Sequence, residues 1–317
     1  MSETVSGYQF RPADLGVGRR TPGISIFMRV RNGADFLEAA IRSHAGAVDE
    51  IVAVHNQCTD GSDEILHRLA VELGPKLRVI HYRDRVFPPG SEGHAREAAD
   101  SPASFVNMSN FALAQTRHTV AMKLDDDHVA IADRFASLAA RVRSSAFRLK
   151  ETLCFSGINL ARGADGSVGV PAHEPLVGTG DHFLFEVRPD TSFRHDPRFE
   201  HFNHADPRVF GDITYWHLKY LKAGLGFANY ELDETPNPRF ERKKKRLMEN
   251  RRLLTVKALA AQQPAWAGLA RHLPLPEKTR LKLARAACLR TDPPALDLDL
   301  AALRSATGDR NDDHHSR

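Results

Sequence analysis

Cysteine is scarce in this 317-residue chain: Cys58, Cys154 and Cys288 are widely spaced and odd in number. That pattern excludes a disulfide framework and a Cys-based zinc site, leaving ordinary thiols. Long apolar runs are also missing. No stretch reaches bilayer-crossing length, and the N-terminus carries polar and charged residues where a signal peptide would place its apolar segment. A cytoplasmic location is therefore expected. Neither sign of charge dominates, with 44 Lys and Arg against 40 Asp and Glu. Nor is the composition that of a disordered chain, because 42% of residues are hydrophobic and 26% charged. A chain of this size and composition buries a sizeable core, as one large or two fused domains.

What the chain does have is a run of three aspartates, Asp125, Asp126 and Asp127, directly after the apolar segment Thr119 to Leu124. Three adjacent anions repel one another, so gathering them at a strand end calls for a hard cation, Mg²⁺ or Mn²⁺. Such cations bind through one or two carboxylates together with substrate phosphates, which points to a diphosphate ligand. The plainer reading is a polar loop before a helix, with Asp133 capping a helix that begins near Arg134. If the aspartates continue the strand, Asp125 and Asp127 share one face and Asp126 points to the other.

The first half alternates strand and helix patterns. Gly23 to Val30, Glu50 to His55 and Leu77 to Tyr82 read as strands. Apolar residues at helical spacing follow the first two, including Phe36, Leu37, Ala40 and Ile41, and then Ile65, Leu66, Leu69 and Leu73. A further helix is expected over Phe105 to Gln115. These βαβ units imply a mostly parallel sheet whose ligands sit at the carboxyl ends of its strands. The loop Asn56-Gln57-Cys58-Thr59-Asp60-Gly61 and the aspartates both follow strands, so both should open onto one edge.

Those same residues carry a resemblance. Ile24 to Asn32, Val48 to Val54, Thr59-Asp60-Gly61-Ser62, Asn110 and Leu124-Asp125-Asp126-Asp127 together look like the opening of family-two-like glycosyltransferases with the GT-A fold and a DxD motif. The match runs from about Gly23 to Phe135. It implies a nucleotide-sugar donor, Mg²⁺ or Mn²⁺, and transfer to a glycan or glycolipid acceptor held by the second half. By the resemblance, Asp125 faces the ribose, Asp127 coordinates the metal, and Arg31, Asn32, Asn56, Gln57 and Asn110 line the donor site. Arg31 equally reads as a solvated arginine at a strand exit. Two departures are notable: Gly33 stands where the family has Glu, and His55-Asn56-Gln57-Cys58 replaces an acidic stretch that helps hold the base and ribose.

The second half is less legible. Cys154 to Leu160 and His182 to Val187 read as strands, separated by a glycine-rich loop or hairpin from Arg162 to Gly180 near the acceptor. Phe210 to Lys219 reads as an aromatic-rich helix opened by Gly211-Asp212. The resemblance makes Asp212 the general base that takes the acceptor proton, whereas local chemistry makes it a helix N-cap. It also makes His217 a third metal ligand. Five positions on a helix separate the two side chains by roughly 140°, on different faces. His182, His195, His201 and His204 are further candidates for metal or acceptor contacts.

The expected architecture is α/β, a GT-A (Rossmann-like) mixed sheet flanked by helices with a C-terminal helical extension. Its segments are an N-terminal extension over 1–22, a donor half over 23–135, an acceptor half over 136–237, a basic helical extension over 238–290 and a tail over 291–317, with Gly308 to Arg317 disordered. The expected function is glycosyl transfer in surface polysaccharide biosynthesis. The alternatives are another diphosphate-activated donor such as phosphoribosyl diphosphate, or a non-catalytic glycan- or nucleotide-binding module. The basic residues of 242–252 read either as a solvated helix face or as a contact for an anionic membrane at its inner face, an anionic acceptor or a partner protein. Nucleic acid is not expected, because no binding motif or aromatic platform accompanies the charge. Replacing Arg242, Lys243, Lys244, Lys245 and Arg246 by Gln is expected to weaken association with anionic vesicles and leave donor binding intact. Flotation assays at rising salt measure this, since salt should mimic the substitutions.

Overall fold

Strands rich in β-branched residues build the centre of the molecule. The computed structural model describes residues 3–178, 182–222, 238–270 and 273–299. Strands β1 (Glu3–Val5), β2 (Thr21–Val30), β3 (Glu50–His55), β4 (Leu77–Tyr82) and β5 (His118–Leu124) run parallel in the order β1-β4-β3-β2-β5. All six positions of β3 are buried, as expected of a parallel strand covered on both faces. Helices α1 (Leu37–Ala45) and α2 (Ser62–Leu73) cover one face, where Ile41, Leu66 and Leu69 pack with Ile51 and Ala53. After the short α3 (Glu92–Arg96), helix α4 (Phe105–Ala114) covers the other, where Phe111 and Leu113 pack with Val52 and Val54. The strands lie where the apolar runs placed them.

Beyond β5 the sheet becomes mixed. Its remaining strands are β6 (His128–Ala130), β7 (Thr152–Arg162), β8 (Val168–Pro171), β9 (Leu176–Val177), β10 (Phe183–Glu186) and β13 (Arg208–Tyr220). Strands β11 (Ser192–Asp196) and β12 (Phe199–Asn203) form a separate hairpin. Strand β10 runs antiparallel between β5 and β7, β13 runs parallel to β7, and β6 pairs antiparallel with β13. Helix α5 (Ala132–Ser144) starts after Ile131 and carries Asp133 in its first turn, so Asp133 is not its cap. The expected mixed sheet flanked by helices, with a helical C-terminal extension, is what the chain forms.

One expectation changes, and two segments gain detail. Phe210 to Lys219 is not a helix: it belongs to the 13-residue strand β13, buried from Ile213 to His217. Val209, Ile213, Thr214, Tyr215 and Trp216 are β-branched or aromatic, suited to a strand between two neighbours, and that preference outweighs the cap-like Gly211-Asp212 pair. Within the segment 1–22, β1 adds an edge to the sheet beside β4. The extension, comprising α6 (Pro238–Glu249), β14 (Leu253–Leu254), α7 (Val256–Ala261), α8 (Ala267–Ala270) and α9 (Glu277–Thr291), shares a core with the sheet. There Val256, Leu259 and Leu289 join Trp216, Ile158 and Leu160. Burying each such side chain contributes roughly 1.5–3 kcal/mol. The expected boundary at 237 and the expected disorder of Gly308 to Arg317 lie outside the described residues. No helix among the described residues is long and apolar enough to cross a membrane.

His44 joins two helices through chemistry that depends on pH. Its Nδ1 lies 2.8 Å from the carbonyl oxygen of Ala40, and its ring packs edge-on against Phe135 of α5. Burial pushes the imidazole down to about 4 from 6.5. The unfolded chain therefore takes up a proton first as pH falls, and stability present above pH 6.5 is lost as pH drops towards 4. The loss from this one group is up to ~3 kcal/mol, at about 1.4 kcal/mol per pKa unit. Urea unfolding across pH 4–7 should show that slope, and His44→Gln should flatten it.

Candidate metal and donor site

Strand β5 ends at Leu124, and the aspartates form the turn into β6. The turn cancels the strand alternation expected to separate Asp126 from its neighbours. Lys222 Nζ lies 2.8 Å from Asp126 Oδ2 and 3.0 Å from Asp127 Oδ2, so one ammonium holds both carboxylates. Gly33 accommodates this arrangement. A Cβ on that residue would lie 2.1 Å from Asp126 Oδ2, so the missing Glu side chain makes way for the aspartate.

Asp127 is buried and faces two imidazoles. His217 Nε2 is 3.4 Å and His128 Nε2 3.8 Å from Asp127 Oδ1. His217 arrives from β13, paired with His128 across the antiparallel β13–β6 ladder. The orientation of the His217 ring follows from its other nitrogen. Asn159 donates through Nδ2 to the Glu174 carbonyl at 2.6 Å, which turns its Oδ1 towards His217 Nδ1 at 2.5 Å. That oxygen can only accept, so Nδ1 carries the hydrogen. His217 then presents Nε2 to the Asp127 carboxylate, whose oxygens offer only lone pairs. Such an arrangement calls for a positive charge between them, a proton or a cation. The donor set of one carboxylate and imidazole nitrogen suits a divalent ion, and the Lys222 ammonium supplies cationic charge on the other oxygen of Asp127.

A second group adjoins the first. Asp125, His128 and His182 form one set, and Asp127, His128 and His217 another, each with one ligand atom per residue within 4.8 Å of the others. Asp125 is 37% exposed at its side chain and lies 3.8 Å from both Arg29 Nη2 and His128 Nε2. Burial works to raise its pKa, but the charges of Lys123, His128, His182 and Arg29 hold it well below the usual carboxylate range. Asp127 behaves alike, with Lys222 and His217 overcoming burial. Asp126 goes the other way, lifted to about 6 by burial and by the charge of Asp127 despite Lys222. Burial and the neighbouring His182 push the imidazole of His128 well below its ordinary value.

Several expected residues lie elsewhere or are occupied. Arg29, not Arg31, reaches Asp125; its Nη1 donates to Glu200 at 2.7 Å and to Ser109 Oγ at 2.5 Å, and its guanidinium lies over Phe105. Arg31 Nη1 lies 3.4 Å from Asn56 Oδ1 and from the Val86 carbonyl. The Asn56 amide donates to the carbonyls of Tyr82 and Asp84, which ties β3 to the end of β4. Asn32 braces the following loop by accepting from the Thr59 amide at 2.8 Å, and Gln57 donates weakly to the Arg83 carbonyl at 3.4 Å. Asn110 sits on the expected helix, but both ends of its amide pair with the Phe193 backbone and anchor the β11–β12 hairpin. Of the other histidines, His195 lies by the His94 carbonyl and His204 by Thr152, while His201 is exposed beside Asp196.

Asp212 does not join the cluster. Its Oδ1 accepts from Arg134 Nη1 at 2.7 Å and from Cys288 Sγ at 3.1 Å, while Arg134 Nη2 reaches Asp292 Oδ2 at 2.6 Å. Burial and the Asp212 charge push the Cys288 thiol up to about 12. The carboxylate, engaged by a buried guanidinium, fastens strand β13 to helix α5 and, through Cys288, to the last helix. Sequence reasoning missed Arg29, His128, Glu200 and Lys222. His128 was signalled by adjacency to the aspartates and Arg29 by its place in the first strand, whereas nothing local marks Glu200 or Lys222.

No family model matches the chain, and no curated protein matches it. Solved structures are similar over part of its length. Glucosyl-3-phosphoglycerate synthase from Mycobacterium tuberculosis, in complex with Mg²⁺ and UDP, is 17% identical over 50% of this chain and 51% of that chain, with a TM-score of 0.29. The same enzyme with Mn²⁺ and UDP-glucose is 16% identical over 52% of each chain, with a TM-score of 0.28. A structure described only as a mycobacterial protein is 14% identical over 68% of this chain and 74% of that one, with a TM-score of 0.36. The chain spans about half the length of the synthase. These scores are too low to carry a functional assignment, which rests on the geometry of the site.

Asp212→Asn is expected to weaken the Arg134 contact and lower unfolding stability by about 1–3 kcal/mol, with nucleotide binding and turnover near normal. Urea unfolding alongside ligand titration measures both. A loss of turnover at unchanged stability would restore the base role.

Proposed function

We propose that the chain is a metal-dependent glycosyltransferase of the GT-A kind, moving a sugar from a nucleotide-activated donor to a glycan or glycolipid acceptor in surface polysaccharide assembly. The reading is carried by one observation: Nε2 of the Asn159-oriented His217 stands 3.4 Å from Asp127 Oδ1 at the end of β5. Asp127 and His217 hold the cation, Mg²⁺ or Mn²⁺, with His128 beside them. When bound, that cation supplies the positive charge that a departing diphosphate requires. Asp125, the most exposed of the three aspartates and held ionised, faces the donor. Arg29 takes the phosphate-side role that the sequence suggested for Arg31, since its guanidinium already bridges Asp125 and Glu200. Lys222 keeps Asp126 and Asp127 from repelling each other when the cation is away. The sugar-bearing end lies towards the second half of the sheet, whose strands β7 and β13 deliver Asn159 and His217.

A thermal-shift screen of nucleoside diphosphates with and without Mn²⁺ tests the reading. A ligand at a hundred times its Kd stabilises the folded state by about 2.7 kcal/mol, so one nucleotide should raise Tm by several degrees, and only with metal present. Asp127→Asn and His217→Ala should each abolish the metal-dependent part, whereas Asp212→Asn should retain it. If no nucleotide shifts Tm, or if shifts survive in both metal-site variants, the assignment fails.

A further inference from the structure

The large apolar side chains left exposed are not scattered over the molecule. Six stand out among the described residues, and five of them, Met248, Trp266, Leu269, Leu273 and Leu296, belong to the C-terminal extension. Trp266 is 58%, Leu269 78% and Leu273 54% exposed, and the local fold forces the first two outward. In the turn that opens α8, the Leu269 amide donates to the Trp266 carbonyl at 3.0 Å. Between them Ala267 is fully buried and Gly268 faces α9, where a Cβ on it would meet Ala287 at 4.0 Å. The small residues therefore take the inside of the turn and the large apolar ones the outside.

Charge is distributed as unevenly. Between Pro238 and Arg290 the chain carries 15 Lys and Arg against 3 Asp and Glu, whereas the remaining residues carry 29 against 37. Close to the apolar turn, Arg290 Nη1 donates to the carbonyls of Ala261 at 3.3 Å and Gln263 at 3.0 Å, just ahead of Trp266. Lys278, Arg280 and Lys282 are exposed on α9, which begins soon after Leu273. The one acid between Asn250 and Thr291 is Glu277, and its Oε2 accepts from the Arg208 amide of β13 at 3.2 Å.

We infer that Trp266, Leu269 and Leu273 form an interfacial anchor by which the extension docks the protein on an anionic lipid surface. Exposed Trp and Leu enter the headgroup boundary when Lys and Arg accompany them, because apolar burial and attraction to anionic lipid act together. Trp suits that boundary through its amphipathic ring. A protein partner matches the surface less well. Protein interfaces are depleted of Lys, and the extension carries Lys243, Lys244, Lys245, Lys257, Lys278 and Lys282. The anchor adds insertion to the attraction that the basic run of 242–246 supplies. The inference does not rest on the proposed transfer reaction, whose metal-dependent nucleotide binding is measured without lipid.

The chain has two tryptophans and Trp216 is only 1% exposed, so a change in emission on adding vesicles reports Trp266. The full chain is mixed with vesicles of equal parts phosphatidylcholine and phosphatidylglycerol, or of phosphatidylcholine alone. Flotation, Trp emission and quenching by lipids brominated in the acyl chain are read. The wild type should float with the anionic vesicles alone, with a blue shift and bromolipid quenching. The double variant Trp266→Ala with Leu269→Ala alters two exposed side chains, so its circular dichroism should match the wild type while vesicle affinity falls about tenfold or more. Lys278→Gln with Lys282→Gln should weaken flotation, as added salt does. Absence of flotation, flotation without bromolipid quenching, flotation unchanged in the apolar double variant, or equal flotation with both vesicle types would overturn the inference. So would a concentration-dependent dimer that the apolar double variant loses and that binds no vesicle, which would assign the surface to a second copy of the chain.

Discussion

Three carboxylates packed against a sheet edge are tolerable only while cationic groups stand beside them, and much of this molecule is arranged to satisfy that condition. Lys222 serves Asp126 and Asp127, Arg29 serves Asp125 and Glu200, and Lys123 adds charge beside Glu200. Each cation comes from a different stretch of chain. Removing one from such a setting costs more than the attraction it supplied, because the anion left behind has already lost its water. The electrostatics of the turn after β5 thus hold together β2, β12 and the end of β13, none of which is near it in sequence.

The imbalance among the aspartates follows from the same packing. Asp125 and Asp127 keep their charge against burial, whereas Asp126, wedged against Gly33, is pushed towards its protonated form. A divalent ion requires ionised ligands, and the two low carboxyls are the ones within reach of histidine nitrogens. The Glu that the resemblance would place at position 33 would have collided with Asp126. The departure from the family pattern and the third aspartate are therefore one structural fact rather than two.

Most of the first half was legible because buried parallel strands write themselves as apolar runs: Glu50 to His55 and Leu77 to Tyr82 lie where the sequence placed them. The aspartates were legible for the same reason, as charge interrupting such a run. Phe210 to Lys219 was misread because Gly-Asp before aromatics suits a helix start as well as a strand, and only the neighbours β7 and β6 decide between them. Lys222 and Glu200 were invisible because their meaning lies in partners roughly 75 to 170 residues away, which no local pattern encodes. Asn110 shows the opposite limit: its position was right, but its amide is spent on the backbone of Phe193.

Strand β13 carries both ends of this story. At Asp212 it is fastened to α5 and, through Cys288 and Asp292, to the last helix and the residue after it; at His217 it enters the carboxylate cluster. Its pairing with β7 slips between Phe210 and Ile213 and again between Ile213 and Tyr215, so the intervening stretch is kinked rather than ruled straight. The fastening at Asp212 and the imidazole beside Asp127 sit five residues apart on this one strand. The last helix is thereby tied, through a short length of continuous backbone, to the turn that carries the three aspartates.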